Sequence, residues 1–144
     1  MREGKIILVD DNLRDADLMI RAFRKSGLAN DIIHLKDGQQ ALDYIFTEGE
    51  YETRDFNDLP KTILLDLKMP RVTGIEVLMK LKGDERTKDI PVVIITSSKE
   101  DPDIKTCYSL GVNSYVVKPV EFDAFFKAIS QVGLYWLLIN QPPV

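Results

Sequence analysis

Five short apolar runs set the pattern of this chain: Lys5–Val9, Asp31–Leu35, Thr62–Leu65, Val92–Ile95 and Ser114–Val117. Runs of this length with little polar alternation predict strands covered on both faces of a parallel sheet. The segments between them carry apolar residues at helical spacing. After Asp10-Asp11, either Asp11 or Asn12 can cap a helix that presents Ala16, Met19, Ile20 and Phe23 and stops at Gly27. The turn Asp37-Gly38 leads into a helix over about Gln39–Phe46. A third helix over about Gly74–Lys82 uses Ile75, Leu78 and Met79 as its inner face. A fourth spans about Pro102–Leu110 and ends at Gly111. The last starts near Glu121, with Phe122, Phe125, Phe126 and Ile129 on one face.

Five strands alternating with helices predict an α/β domain with a mostly parallel sheet and helices on both faces. Right-handed crossovers leave few topologies. The flavodoxin-like, doubly wound order 2-1-3-4-5 is the one expected.

Two segments depart from this alternation. Residues from about 47 to 61 are polar and acidic, with Glu48, Glu50, Glu52, Asp55 and Asp58 around Tyr51 and Phe56, and predict an extended surface loop. Loops this long are often functional, although a solvated insertion costs little. Both readings stay open. The second segment, about 133–144, contains Leu134-Tyr135-Trp136-Leu137-Leu138-Ile139. It is apolar all round, so one core face cannot bury it. Tyr135, Trp136, Leu137 and Leu138 are expected to form an interface; the alternative is that Tyr135 and Trp136 fold back onto their own domain.

The 144 residues are the size of one domain, 1–144. A net charge of -4, from 19 Lys and Arg against 23 Asp and Glu, gives no electrostatic case for nucleic acid. No apolar run approaches the roughly 20 residues needed to cross a bilayer, and no signal peptide is expected at the start. A cytoplasmic location follows as the default. Cys107 is the single cysteine, which excludes an intrachain disulfide and a cysteine metal cluster. His34, also single, reads as a strand residue rather than a ligand or base.

The ends of the runs carry the chemistry. Four of the five end in a polar group: Asp10-Asp11, Asp66, Thr96 and Lys118. In a parallel sheet these ends share one edge, and strands 1 and 3 are neighbours at the switch point. Three carboxylates therefore meet beside a hydroxyl and an amine. Two like charges about 4 Å apart repel by roughly 4 kcal/mol at an effective dielectric near 20. Such a pocket needs a cation or shifted pKa values. Lys118 supplies one positive charge, and Mg²⁺ suits hard oxygen ligands. One carboxylate can then attack a phosphoryl group, whose oxygens need a metal, an ammonium and hydroxyl or amide donors. Asp10 and Asp11 are adjacent, point different ways and can hold the metal directly and through water. Asp66 stands alone on the central strand and is assigned the phosphoryl group.

At these residues the chain resembles the receiver domain of two-component response regulators. The matching motifs are Val9-Asp10-Asp11, Asp66-Leu67-Lys68-Met69-Pro70 with Gly74, Thr96-Ser97, and Tyr115-Val116-Val117-Lys118-Pro119. They span nearly the whole chain in the family's order. The resemblance implies that Asp66 accepts a phosphoryl group from a phosphohistidine on a sensor histidine kinase. It implies Mg²⁺ held by Asp10, Asp11, Asp66 and the backbone carbonyl of Lys68, with Thr96 and Lys118 on the phosphoryl group. Tyr115 matches the aromatic switch that turns inward with the Thr96 hydroxyl, and Lys118-Pro119 is expected to be cis. The acidic loop and the apolar end resemble the small stand-alone regulators partnered with bacterial phytochromes, which dimerise.

The leading expectation is thus a phosphoacceptor signalling domain, not an enzyme, that hydrolyses its own phosphoaspartate slowly. Phosphorylation would shift a two-state equilibrium of the face built from the fourth helix, fifth strand and fifth helix. An aspartyl-phosphate phosphatase would carry a second acid two residues after the nucleophile, where this chain has Lys68. Lys68 and Ser98 are positioned to tune the hydrolysis rate. A phosphorylation-independent interaction module would show gaps in the acidic site, and there are none.

Overall fold

The computed structural model describes residues 5–25, 32–97, 101–112, 114–118 and 121–131. Strands β1 (Ile6–Val9), β2 (Ile32–Leu35), β3 (Thr62–Leu65), β4 (Val92–Thr96) and β5 (Ser114–Val117) form one sheet in the order β2-β1-β3-β4-β5. Every pairing is parallel. Helices α1 (Leu13–Lys25), α2 (Gly38–Ile45), α3 (Gly74–Lys82), α4 (Asp101–Ser109) and α5 (Phe122–Gln131) fill the crossovers. The expected doubly wound order is the observed one. No helix among the described residues is long and apolar enough to cross a membrane.

Alternation along the strands divides the core into two layers. Ile7, Val9, Leu35, Ile63, Leu65, Val92 and Ile94 face a layer built from α2, α3 and α4, including Ala41, Ile45, Val77, Leu78, Leu81 and Cys107. Ile6, Leu8, Leu64 and Ile95 face α1 and α5 through Ala16, Met19, Ala22, Phe23 and Phe125. The Phe23 and Phe125 rings meet edge to face at 5.8 Å. Full burial of one such side chain stabilises by about 1.5–3 kcal/mol, so the two layers fix the sheet firmly. The register aligns Val9 with both Leu35 and Leu65. Asp10 and Asp66 therefore leave neighbouring strands at the same level.

The inner face of α3 differs from expectation. Gly74, Val77, Leu78 and Leu81 are buried, whereas Met79 is 55 % exposed and Ile75 only partly covered. Spacing of three, four and seven residues from Gly74 makes the buried stripe, and Met79 falls about 100° round from Leu78. The segment 47–61 also differs, because it is anchored rather than extended. Gly49–Tyr51 forms a 3₁₀ turn, and Tyr51, Phe56 and Leu59 pack against the larger core layer. The Arg54 guanidinium lies 4.2 Å over the Tyr44 ring. Its Nε donates to the Tyr44 carbonyl at 2.8 Å, and Nη1 donates to the Asp58 carbonyl at 2.8 Å. Its Nη2 donates to the Ile45 carbonyl at 3.3 Å, so Arg54 holds two carbonyls that the end of α2 leaves without helical partners. Lys5 pairs with Asp58 at 2.6 Å. Tyr135, Trp136, Leu137 and Leu138 lie outside the described residues, as does Gly27.

Candidate functional site

The site is built at the ends of β1, β3 and β5. Asp10 Oδ1 accepts the Asn12 N–H at 2.9 Å and bends the chain out of β1. Asn12 then caps α1: its Oδ1 accepts the Asp15 N–H at 3.0 Å and its carbonyl accepts the Ala16 N–H. Of the two candidate caps, Asn12 is the one used, which leaves Asp11 exposed beside the site. On β3, the Asp66 N–H bonds the Val9 carbonyl at 2.9 Å, and Asp66 Oδ1 accepts the Lys68 N–H at 3.2 Å. Gly74 lets α3 press against this turn. A Cβ there would stand 2.2 Å from the Asp66 carbonyl oxygen and 2.6 Å from the Leu67 Cα, both backbone atoms that cannot swing aside.

Carboxylate oxygens of Asp10, Asp11 and Asp66 lie within 4.8 Å of one another. Asp10 and Asp66 are buried. Lys118, one residue past β5, brings its Nζ to 3.0 Å from Asp10 Oδ2 and 3.3 Å from Asp66 Oδ2. The approach to Asp10 is an ion pair without hydrogen-bond geometry, so Asp10 Oδ2 is buried without a hydrogen-bond donor. Burial first, and the Asp10 charge second, push the Asp66 carboxyl up to about 6 despite the pull of Lys118 and the Lys68 N–H. Burial disfavours the Lys118 ammonium, but the close Asp15 and Asp10 carboxylates and the Asp66 charge outweigh it and raise its pKa.

The donor set fits a hard divalent cation. It offers oxygens only, two buried and one exposed carboxylate, and one buried oxygen lacking a hydrogen-bond donor. Asp10, Asp11 and Asp66 could hold such an ion, with Asp11 on the solvent-exposed side.

Of the remaining expected residues, Tyr115 pairs with Ile94 on β4 and is half-buried against the larger core layer. Lys68 is exposed and touches Asp66 through its N–H. Thr96 ends β4 opposite Val117, while its side chain, Ser98 and Pro119 lie outside the described residues. His34 is a strand residue as expected, and its Nε2 also lies 2.8 Å from the Asp10 carbonyl oxygen.

Two elements of the site escaped the sequence reading. Asp15 Oδ2 lies 2.9 Å from Lys118 Nζ. Its signal was an acid in the first turn of a helix that opens at the acidic edge. Arg71, at a φ of 65°, pairs with Asp37 Oδ2 at 2.8 Å, while Asp37 Oδ1 caps α2 through the Gln40 N–H. That pair ties the loop after Asp66 to the start of α2.

Comparison with known proteins decides the family. The response regulator receiver domain family matches residues 6–130. The chain belongs to that family. The receiver is 42% identical over 139 residues to the probable methanogenesis regulatory protein FilR2 of Methanothrix harundinacea, covering 96% of this chain and 86% of FilR2. It is 35% identical over 132 residues to the response regulator Rcp1 of Synechocystis sp., covering 92% of this chain and 88% of Rcp1. Its fold matches the phosphorylated cyanobacterial phytochrome response regulator RcpA with a TM-score of 0.88 at 34% identity, covering 99% of this chain and 100% of RcpA. The Mn²⁺-bound form of Rcp1 aligns with a TM-score of 0.86 at 33% identity, over 98% of this chain and 99% of that one.

Proposed function

We propose that this receiver accepts a phosphoryl group on Asp66 from the phosphohistidine of a sensor histidine kinase, in a Mg²⁺-dependent reaction that switches a protein-interaction surface. The observation that carries the reading is the buried Asp66 carboxylate beside Asp10 with the Lys118 ammonium 3.3 Å away. An Asp66 oxygen attacks phosphorus, the bond from phosphorus to the donor imidazole nitrogen breaks, and the imidazole leaves with that electron pair. Lys118 balances the charge placed on the phosphoryl oxygens. Asp10, Asp11, Asp66 and the Lys68 carbonyl would hold Mg²⁺, which would supply positive charge to the carboxylates and the phosphoryl oxygens.

The Thr96 hydroxyl then moves to the phosphoryl group and Tyr115 turns further inward. The face formed by α4, β5 and α5 changes with them. Likeness to RcpA, a phytochrome response regulator, supports a phytochrome-like kinase as the donor. A homodimer through Tyr135, Trp136, Leu137 and Leu138 and a cytoplasmic location complete the reading. Lys68 stands where a phosphatase of this chemistry would carry its second acid, which favours slow self-dephosphorylation over turnover.

Intact mass spectrometry tests this with acetyl phosphate, with and without Mg²⁺, beside Asp66→Asn. A Mg²⁺-dependent gain of one phosphoryl group that the variant loses is expected. No gain, or a gain retained by Asp66→Asn, contradicts the assignment. Light scattering on the same samples reports whether the dimer is constitutive or switched.

A further inference from the structure

Lys118 is shared by three carboxylates. Asp15 Oδ2 lies at 2.9 Å from its Nζ, Asp10 Oδ2 at 3.0 Å and Asp66 Oδ2 at 3.3 Å. An ammonium carries one positive charge and three N–H donors, so the three neighbours compete for it. Asp10 and Asp66 belong to the group whose oxygens converge as a cation site, and Asp15 does not. A cation bound by that group draws on Asp10 and Asp66. Among the described residues, Asp15 is then the Lys118 partner that the cation leaves untouched.

The placement of Asp15 follows from local structure. It is the third residue of α1 after the Asn12 cap, and its N–H is held by the Asn12 side chain. Side chains in a first turn lean back toward the helix N-terminus, here toward the sheet edge. The free N–H groups of that turn favour a negative charge. The Lys118 and Asp15 side chains are only 13% and 21% exposed, so water screens the pair incompletely.

We infer that Asp15 is a positioning residue that competes with the phosphoryl group for Lys118, weakening the hold on the anion while strengthening the hold on the cation. The inference rests on Asp66 being the phosphoryl acceptor. A group transferred to Asp66 adds negative charge that calls on the Lys118 ammonium. A carboxylate fixed 2.9 Å from that ammonium holds it back. Loss of the Asp15 charge frees Lys118 for the anion and removes attraction for the cation. The two effects have opposite signs, whereas simple damage to the fold would weaken both.

Calorimetric titration separates them. Metal-free wild type, Asp15→Asn, Asp15→Ala and Asp15→Glu are titrated with Mg²⁺, and the Mg²⁺-saturated proteins with fluoroberyllate, an anionic phosphoryl mimic. Asp17→Asn serves as the control, since Asp17 is an exposed acid on the same helix paired with Arg21 rather than Lys118. Asp15→Asn and Asp15→Ala should bind fluoroberyllate about tenfold more tightly, in line with typical coupling between contacting charges. Both should bind Mg²⁺ more weakly. Asp15→Glu should stay near wild type, and Asp17→Asn should change neither constant appreciably. Unchanged or weaker fluoroberyllate binding in Asp15→Asn overturns the inference, as does an equal gain in Asp17→Asn. A wild type that takes no fluoroberyllate at any Mg²⁺ concentration overturns the acceptor reading and this inference together.

Discussion

Two parts of this receiver use the same materials, acids on loops beside a basic side chain, to opposite ends. In the 47–61 segment the two charges turned toward the fold are matched: Arg54 faces the Tyr44 ring and backbone carbonyls, and Asp58 meets Lys5 at 2.6 Å. At the sheet edge Asp10, Asp15 and Asp66 crowd one ammonium with Asp11 beside them, and Asp10 Oδ2 is buried without a hydrogen-bond donor. Matched charges stabilise the fold at all times. Crowded carboxylates cost stability until a cation or a proton arrives, which leaves the site poised for a ligand.

The largest effect of a substitution is expected on the matched side. Arg54→Ala should destabilise the protein by about 2–4 kcal/mol, because it removes a stacked guanidinium and leaves half-buried carbonyls without a donor. Urea unfolding with an unchanged slope would measure it, and a loss under 1 kcal/mol would show the segment to be loosely held. On the crowded side the sign reverses. In chelator at pH 7, Asp66→Asn should raise stability by up to about 3 kcal/mol, the equivalent of a two-unit rise in a carboxyl pKa. Asp10→Asn should stabilise less, because the ion pair with Lys118 that it gives up, at 3.0 Å, is closer than the 3.3 Å pair of Asp66. Asp11→Asn should have the smallest effect, since its carboxylate is exposed.

The pH dependence sharpens the same contrast. Asp66 titrates near 6 when folded, against 3.8 ordinarily. Between those values the folded protein binds more protons than the unfolded one, so stability of the metal-free protein falls as pH rises from about 4 to about 6. Above that window the penalty is fully present. Asp66→Asn should flatten this slope in thermal melts taken across the range, and an unaltered slope would place the titration elsewhere.

Most of the fold was legible because strand runs and helical spacing are strong, repeated signals. The sheet order followed from five strands alternating with helices, and Asp10, Asp11, Asp66 and Lys118 converge because strand ends in a parallel sheet must share an edge. The α3 face was misread because Ile75, Val77, Leu78, Met79 and Leu81 are all apolar, so the stripe could be drawn about one position either way. Arg54 was not legible, since its partners are backbone carbonyls that no residue type announces. Asp15 was missed for a related reason. Its contact depends on the tilt of the first turn of α1 and the reach of a lysine from the far side of the sheet.

The most direct test of the crowded site is the thermal midpoint of wild type and Asp66→Asn at pH 7, each in chelator and in saturating Mg²⁺. Asp66→Asn is expected to melt higher than wild type in chelator, and Mg²⁺ to raise the wild-type midpoint far more than that of the variant. A wild type that melts higher in chelator, or a Mg²⁺ shift that survives intact in Asp66→Asn, would contradict it.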